Sequence, residues 1–314
     1  MKAWQFVEQG RPIQLNDVDE PTLEADGVIV SGKAAGICHT DTGYLDGTLT
    51  SALPFHPITL GHEIAGVVAE VGADVTAFKV GDRVVIPARM EGPGTSLNGG
   101  FAARVAAPAA FVVPLPDGIG WDQAAAASDA GMTAYHAAVG QGGVTRGTKV
   151  GIIGFGGLGS LGAQIALGLG ADVFVAEKNP KARDFAASLG ITHVSEAIVD
   201  FADQDLDVVV DYAGFGTTTA DAITAVRAGG TVVQVGLGVA EATIPIVDLV
   251  SKQVHLVGSL AGSNDDCAAV LDMIADGKVS SNLTHVTFDE IADGIAKLKN
   301  GEVVGRLVAM MSSV

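Results

Sequence analysis

The chain has 314 residues, 48% of them hydrophobic and 17% charged, with a formal net charge of -18 and a mean hydropathy of +0.39. This composition excludes intrinsic disorder, because enough apolar surface is present to offset the entropy of ordering, and the length accommodates two domains. The excess of 36 Asp+Glu over 18 Lys+Arg argues against nucleic acid and anionic membrane as partners and leaves small molecules and proteins.

Residues 1–10 lack the apolar core and small-residue cleavage site of a secretory leader. With only two cysteines, Cys38 and Cys267, no disulfide framework is expected, and the reading places the protein in a reducing cytoplasm. Short β-rich runs at 27–35, 64–71 and 83–87, punctuated by Gly, Pro and Asp, predict a mainly-β first region. From Trp121 the pattern becomes an Ala-rich helical stretch. Strands at 149–153, 172–176, 208–211 and 231–235 then alternate with helices at 157–169, 181–189 and 218–226. Such alternation predicts βαβ units and a parallel sheet. A strand at 255–258, helices at 265–275 and 288–298 and a last strand at 305–310 complete the chain. The overall class is α/β, with residues 1–130 and 263–314 in a mainly-β domain and 131–262 in a parallel-sheet domain.

Residues 150–171 contain no charge and match the length of a membrane span, yet eight of them are Gly. That density reads as a strand, a phosphate-binding turn and a closely packed helix. The run Gly154-Phe155-Gly156-Gly157-Leu158-Gly159 follows an apolar strand and opens a helix. Gly154 allows the tight turn, Gly156 admits the pyrophosphate, and Gly159 permits close helix–strand packing. Glu177, 23 residues after Gly154, falls at the end of the next strand, where a carboxylate accepts from ribose hydroxyls. A carboxylate there repels a 2′-phosphate, so NAD is favoured, while Lys178, Lys181 and Arg183 leave NADP open.

Upstream, Gly36-Ile37-Cys38-His39-Thr40-Asp41 and Gly61-His62-Glu63-Ile64-Ala65-Gly66 bring a thiol, imidazoles and carboxylates into segments flanked by β-like runs. Singly, such residues are ordinary core or surface groups. Together with the dinucleotide turn, and with Gly72 six residues beyond Gly66, they resemble the zinc-dependent medium-chain alcohol dehydrogenases over nearly the whole chain. The resemblance implies a mainly-β GroES-like catalytic domain and a Rossmann doubly wound parallel-sheet cofactor domain. It places Cys38 and His62 at the first two ligand positions of one catalytic zinc. Asp129 stands where relatives often carry the third ligand as Cys, and a carboxylate is an acceptable substitute.

The resemblance also implies that Asp41 orients the His62 imidazole, that Glu63 approaches the metal during ligand exchange, and that Thr40 takes the substrate proton. His39 and Arg306, the latter in Val303-Val304-Gly305-Arg306, fit contacts to the cofactor pyrophosphate. Val235, Gly236 and Leu237 fit the nicotinamide carboxamide, and Thr133 the side of its ring. Many relatives hold a structural zinc with four closely spaced cysteines, but residues 87–100 contain none. Gly43 replaces a His that in several relatives completes the proton relay. The implied activity is hydride transfer between an alcohol and NAD, with the aldehyde or ketone as the other carbon partner. A zinc-free quinone or enoyl reductase and a non-catalytic dinucleotide-binding protein are the competing readings. The apolar run 254–260 resembles the edge through which relatives pair, implying a homodimer or homotetramer.

Overall fold

The Val/Ile runs of the second half become strands covered on both faces, as a parallel sheet requires. In the computed structural model, residues 1–303 and 305–311 are described; Val304 of the 303–306 motif and residues 312–314 of the first-domain tail lie outside them. The chain divides into two compact units, one formed by Met1–Met132, Gly262–Ala275 and the segment from Ser281 onward, the other by Thr133–Ala261 and Asp276–Ser280.

In the first unit the 11-residue strand Gly27–Ile37 is the spine. It pairs antiparallel with Glu63–Val71, Arg306–Met310 and Arg104–Pro108. Arg83–Ile86 and Val113–Pro114 extend this sheet on one side and Leu283–Thr287 on the other. A separate three-stranded sheet joins Gln14–Asp17, Lys2–Phe6 and Ile58–Thr59. One core gathers Val28, Val30, Ile64, Val68, Val84 and Ile86, and another gathers Phe6, Ile37, Ile58, Phe101, Ile291 and Leu307. The helix Ile291–Lys299 buries Ile291, Ile295 and Leu298, one stripe of an amphipathic surface. The sequence places this helix from 288, whereas Phe288–Glu290 forms a 3₁₀ turn first. The Glu290 carboxylate there accepts from Thr287 N and Thr287 Oγ1 and caps the entry.

In the second unit six strands lie in the order His193–Ser195, Asp172–Ala176, Lys149–Ile153, Leu206–Asp211, Val226–Gln234 and His255–Gly258, all parallel. Alternate residues feed opposite cores: Val150, Ile152, Val173, Val175, Val208 and Val210 on one face, Ile153, Phe174, Ala176, Val209 and Val232 on the other. This is the doubly wound arrangement, and chain order reverses between Lys149–Ile153 and Leu206–Asp211. The Gln164 side chain donates to Ser280 O at 3.1 Å and accepts from Ser280 N at 3.0 Å, which fastens Asp276–Ser280 to this unit. The uncharged run 150–171 resolves into strand, turn and the 11-residue helix Gly159–Leu169. No helix among the described residues is long and apolar enough to cross a membrane.

Candidate active site

Cys38 directly follows the spine strand and caps the helix His39–Asp46. Its amide donates to Asp41 Oδ2 at 2.9 Å, so the cap fixes the thiol and buries Asp41 beside it. His62 immediately precedes the strand Glu63–Val71, which Glu63 opens. The cysteine-free segment 87–100 supports this corner through Gly100 N donating to Gly61 O at 2.7 Å and Gly99 N to Thr59 O at 2.8 Å. In the sheet register Gly36 faces Glu63, and a Cβ on Gly36 would stand 1.9 Å from Glu63 Oε2. The missing side chain is what makes room for the acid. Asp129 sits in the π-helical turn Ala127–Gly131 that follows the helix Trp121–Ala126. The widened turn re-aims side chains relative to a regular helix, a device common at functional positions.

These elements bring Cys38, His62, Glu63 and Asp129 together, with their ligand atoms within 4.8 Å of one another. His62 Nε2 lies 3.6 Å from Asp129 Oδ2, and His62 Nδ1 lies 3.6 Å from Asp41 Oδ1. Thr40 Oγ1 is 3.5 Å from Cys38 Sγ. Arg306 Nε donates to Glu63 Oε2 at 3.1 Å and Nη2 to Asp129 Oδ2 at 3.0 Å, while Nη2 also pairs with Glu63 Oε1.

Burial drives the Cys38 thiol up, but Arg306 and His62 outweigh it against the opposing charge of Asp129, leaving the thiol below its ordinary range. For His62 burial works against the charged form, yet Asp41, Asp129 and Cys38 hold its pKa well above that of a free imidazole. Burial raises Asp41 against the pull of His62 and the Cys38 amide. His39 is lowered by burial and by Arg306.

The cluster therefore holds three carboxylates and a thiol around one guanidinium in a site from which water is largely excluded. Asp41 Oδ1 and His62 Nδ1 have no hydrogen-bond partner. Such a set is short of positive charge, and a thiolate with imidazole and carboxylate oxygen is a zinc donor set. The residues fit a zinc ion.

In the second unit Gly154 takes φ +83°, a left-handed turn directly after the strand Lys149–Ile153. A Cβ on Gly159 would stand 1.8 Å from Gly154 O, so the helix Gly159–Leu169 starts hard against the turn. Gly156 has open space beside it, and Gly157 and Leu158 link the turn to the helix. Glu177 follows the strand Asp172–Ala176 and reaches the same turn, accepting from Phe155 N at 2.6 Å and Asn179 N at 2.7 Å. Lys178 is exposed, and its carbonyl accepts from Arg183 Nη1 at 2.8 Å. Val235 N and Gly236 N each donate to Asp211 O at 3.0 Å, Leu237 is exposed, and Thr133 is buried.

Two connections escape a reading of the sequence: the Arg306 bridge between Glu63 and Asp129, and the buried Asp211 beside Val235 and Gly236. The only signal for Asp211 was an acid closing an apolar strand run.

Residues 24–117 match the family described as alcohol dehydrogenase GroES-like domain, and residues 157–276 match zinc-binding dehydrogenase. An alcohol dehydrogenase of Geobacillus stearothermophilus is 33% identical, covering 98% of this chain and 99% of its own. One from Moraxella sp. (strain TAE123) is 30% identical, with 98% of each covered. The crystal structure of the alcohol dehydrogenase from the archaeon Aeropyrum pernix superposes with a TM-score of 0.89 at 30% identity, covering 99% of this chain and 100% of that one. Acetophenone reductase from Geotrichum candidum, solved in complex with NAD, superposes with a TM-score of 0.88 at 28% identity, covering 99% of this chain and 97% of that one. With the fold, the donor cluster and the glycine-rich turn already in place, these likenesses show that the chain belongs to the zinc-binding, GroES-like and Rossmann-type medium-chain alcohol dehydrogenase family.

Proposed function

We propose that this protein interconverts primary or secondary alcohols and their aldehydes or ketones, with NAD as hydride partner and one catalytic zinc per chain. The observation that carries this reading is the convergence of Cys38, His62 and Asp129 in one buried cluster. These three would hold the zinc, which when bound supplies Lewis acidity to a substrate oxygen. NAD, when bound, supplies the hydride acceptor.

The chain's own residues do the rest. Asp41 faces Nδ1 of His62 and orients the ring so that Nε2 points toward Asp129. Arg306 holds Glu63 and steadies Asp129, so Glu63 is kept for ligand exchange instead of permanent ligation. Thr40, half-buried beside Cys38, takes the hydroxyl proton of the substrate. Gly154, Gly156, Gly157, Leu158 and Gly159 cradle the pyrophosphate, and the family resemblance assigns His39 and Arg306 to the same group of the cofactor. Glu177 disfavours a 2′-phosphate and so selects NAD over NADP, with Lys178 beside it. Because the amides of Val235 and Gly236 are committed to Asp211 O, the Leu237 amide is the donor assigned to the carboxamide, and Thr133 lies beside the ring. Residues 1–130 and 263–314 are assigned to catalysis and 131–262 to the cofactor. A reducing cytoplasm suits the two free, buried cysteines.

Metal content per chain and NAD-linked oxidation of a short alcohol panel test the reading, on wild type and on Cys38→Ser and Asp129→Ala. Expected are close to one zinc in wild type, its loss with turnover in both variants, and retained NAD binding. A zinc-free wild type reducing quinones or enones would transfer the protein to the zinc-independent branch.

A further inference from the structure

Asp211 closes the strand Leu206–Asp211 and is fully buried. A buried carboxylate is costly unless its oxygens are satisfied. Here neutral donors satisfy them: Oδ1 accepts from Ala213 N at 3.0 Å and Gly214 N at 2.8 Å, and Oδ2 from Thr218 Oγ1 at 2.7 Å. Thr219 Oγ1 lies between Asp211 Oδ2, 3.0 Å away, and Gln234 Oε1, 2.9 Å away. Gln234 Nε2 in turn donates to Gly236 O at 2.7 Å. Together with its backbone carbonyl, which accepts from Val235 N and Gly236 N, Asp211 governs the chain leaving two adjacent strands.

Those two exits are packed backbone on backbone. A Cβ on Gly214 would stand 2.0 Å from Gly236 O, and one on Gly236 would stand 2.4 Å from Ala213 C. Ala213 also touches the glycine-rich turn, because a Cβ on Gly154 would meet Ala213 Cβ at 3.3 Å. In the register Asp211 is level with Ile153 on one side and Gln234 on the other. It therefore stands at the reversal of strand order, where open α/β sheets bind ligands beyond the carboxyl ends of their strands.

We propose that Asp211 is a positioning residue for the nicotinamide half of the dinucleotide, acting as a clamp that holds loop 212–216 and loop 235–238 in one rigid surface. The proposal rests on the NAD-linked reading above. It separates two halves of the cofactor site within this unit. Gly156 and Glu177 follow the strands Lys149–Ile153 and Asp172–Ala176, whereas the carboxylate of Asp211 bonds to Ala213, Gly214, Thr218 and Thr219, so the adenosine end should respond far less to loss of the clamp. Asp211 neither touches reacting atoms nor transfers a proton.

The test is calorimetric binding of NAD and of ADP-ribose, which lacks only the nicotinamide, to wild type, Asp211→Ala, Asp211→Asn and Gln234→Leu, with kcat measured beside it. In Asp211→Ala the NAD dissociation constant should rise about tenfold or more as charge-assisted bonds are lost, while ADP-ribose affinity stays within about twofold. Misplacement of the ring should lower kcat by about 100-fold. Asp211→Asn keeps an oxygen for Ala213 N and Gly214 N and should restore most of the discrimination, whereas Gln234→Leu should lose part of it. If Asp211→Ala does not fold, Gln234→Leu against Asp211→Asn gives the same comparison. Variants that keep the wild-type ratio of NAD to ADP-ribose affinity, or weaken both ligands equally, overturn the clamp alone. Wild-type protein that binds neither ligand overturns the dinucleotide reading and the clamp with it.

Discussion

Cys38 and Cys267 are both buried in the first unit, yet their surroundings oppose each other. Burial pushes Cys267 up to about 12, with Arg89 too weak to reverse it, whereas Arg306 and His62 keep Cys38 below the ordinary thiol range. Iodoacetate labelling read by peptide mass spectrometry should therefore leave both thiols untouched in zinc-loaded protein. After chelation it should modify Cys38 alone. Label on Cys267 before denaturation would contradict this contrast. Two members of the donor cluster were legible in the sequence, because Cys38 and His62 sit in compact local motifs. The partner of Glu63 was not: Arg306 lies 243 positions away, and only strand register, with Leu307 opposite Ile37 and Gly36 opposite Glu63, makes them neighbours. Sequence pattern predicts strands, but not which residues stand side by side across them.

At the scale of elements, periodicity located the strands Lys149–Ile153, Asp172–Ala176 and His255–Gly258 to the residue, since each is a short apolar run bounded by turn residues. The helix expected at 157–169 begins at Gly159, because Gly157 and Leu158 still belong to the turn. The strand expected at 231–235 starts at Val226, its polar and Gly-rich beginning masking the extended backbone. The Ala-rich stretch after Trp121 gave no warning of the π turn carrying Asp129, as an extra residue per turn leaves no mark among alanines. Gly159→Ala tests how closely the helix start and the phosphate turn depend on each other. A Cβ 1.8 Å from Gly154 O must push the two apart. Expected are a loss of about 2 kcal/mol in thermal or denaturant unfolding and weaker binding of NAD and ADP-ribose alike. Wild-type stability and affinity in that variant would show the turn to be more yielding than its geometry implies.

For the whole molecule, the charge of -18 keeps copies apart, so association needs a surface that concentrates apolar area. The edge strand His255–Gly258 exposes Leu256, Leu260 follows it exposed, and the helix Ile246–Ser251 exposes Ile246, Val247 and Val250. An unpaired edge beside exposed apolar side chains is a ready surface for a second copy. Light scattering should report a dimer or tetramer for wild type and a shift toward monomer for Leu256→Glu. A monomeric wild type would leave the edge without that role. The two-unit organisation was legible because composition changes from mainly-β to strand–helix alternation near Trp121. The attachment of Asp276–Ser280 was not legible, since it depends on one glutamine side chain, Gln164, from more than a hundred positions upstream.

The guanidinium of Arg306 has a practical consequence at the bench. A chelator strips ions but not a covalently tethered cation, so Glu63 and Asp129 keep a counter-charge throughout any exchange of metal. The pocket should behave as a reloadable socket: far-UV circular dichroism unchanged through chelation, and cobalt then accepted with the visible ligand-field bands of a thiolate-bound ion. Unfolding on chelation would assign that counter-charge to the metal alone. A socket that survives being emptied lets a colourless enzyme carry its own optical reporter, placed where the chemistry takes place.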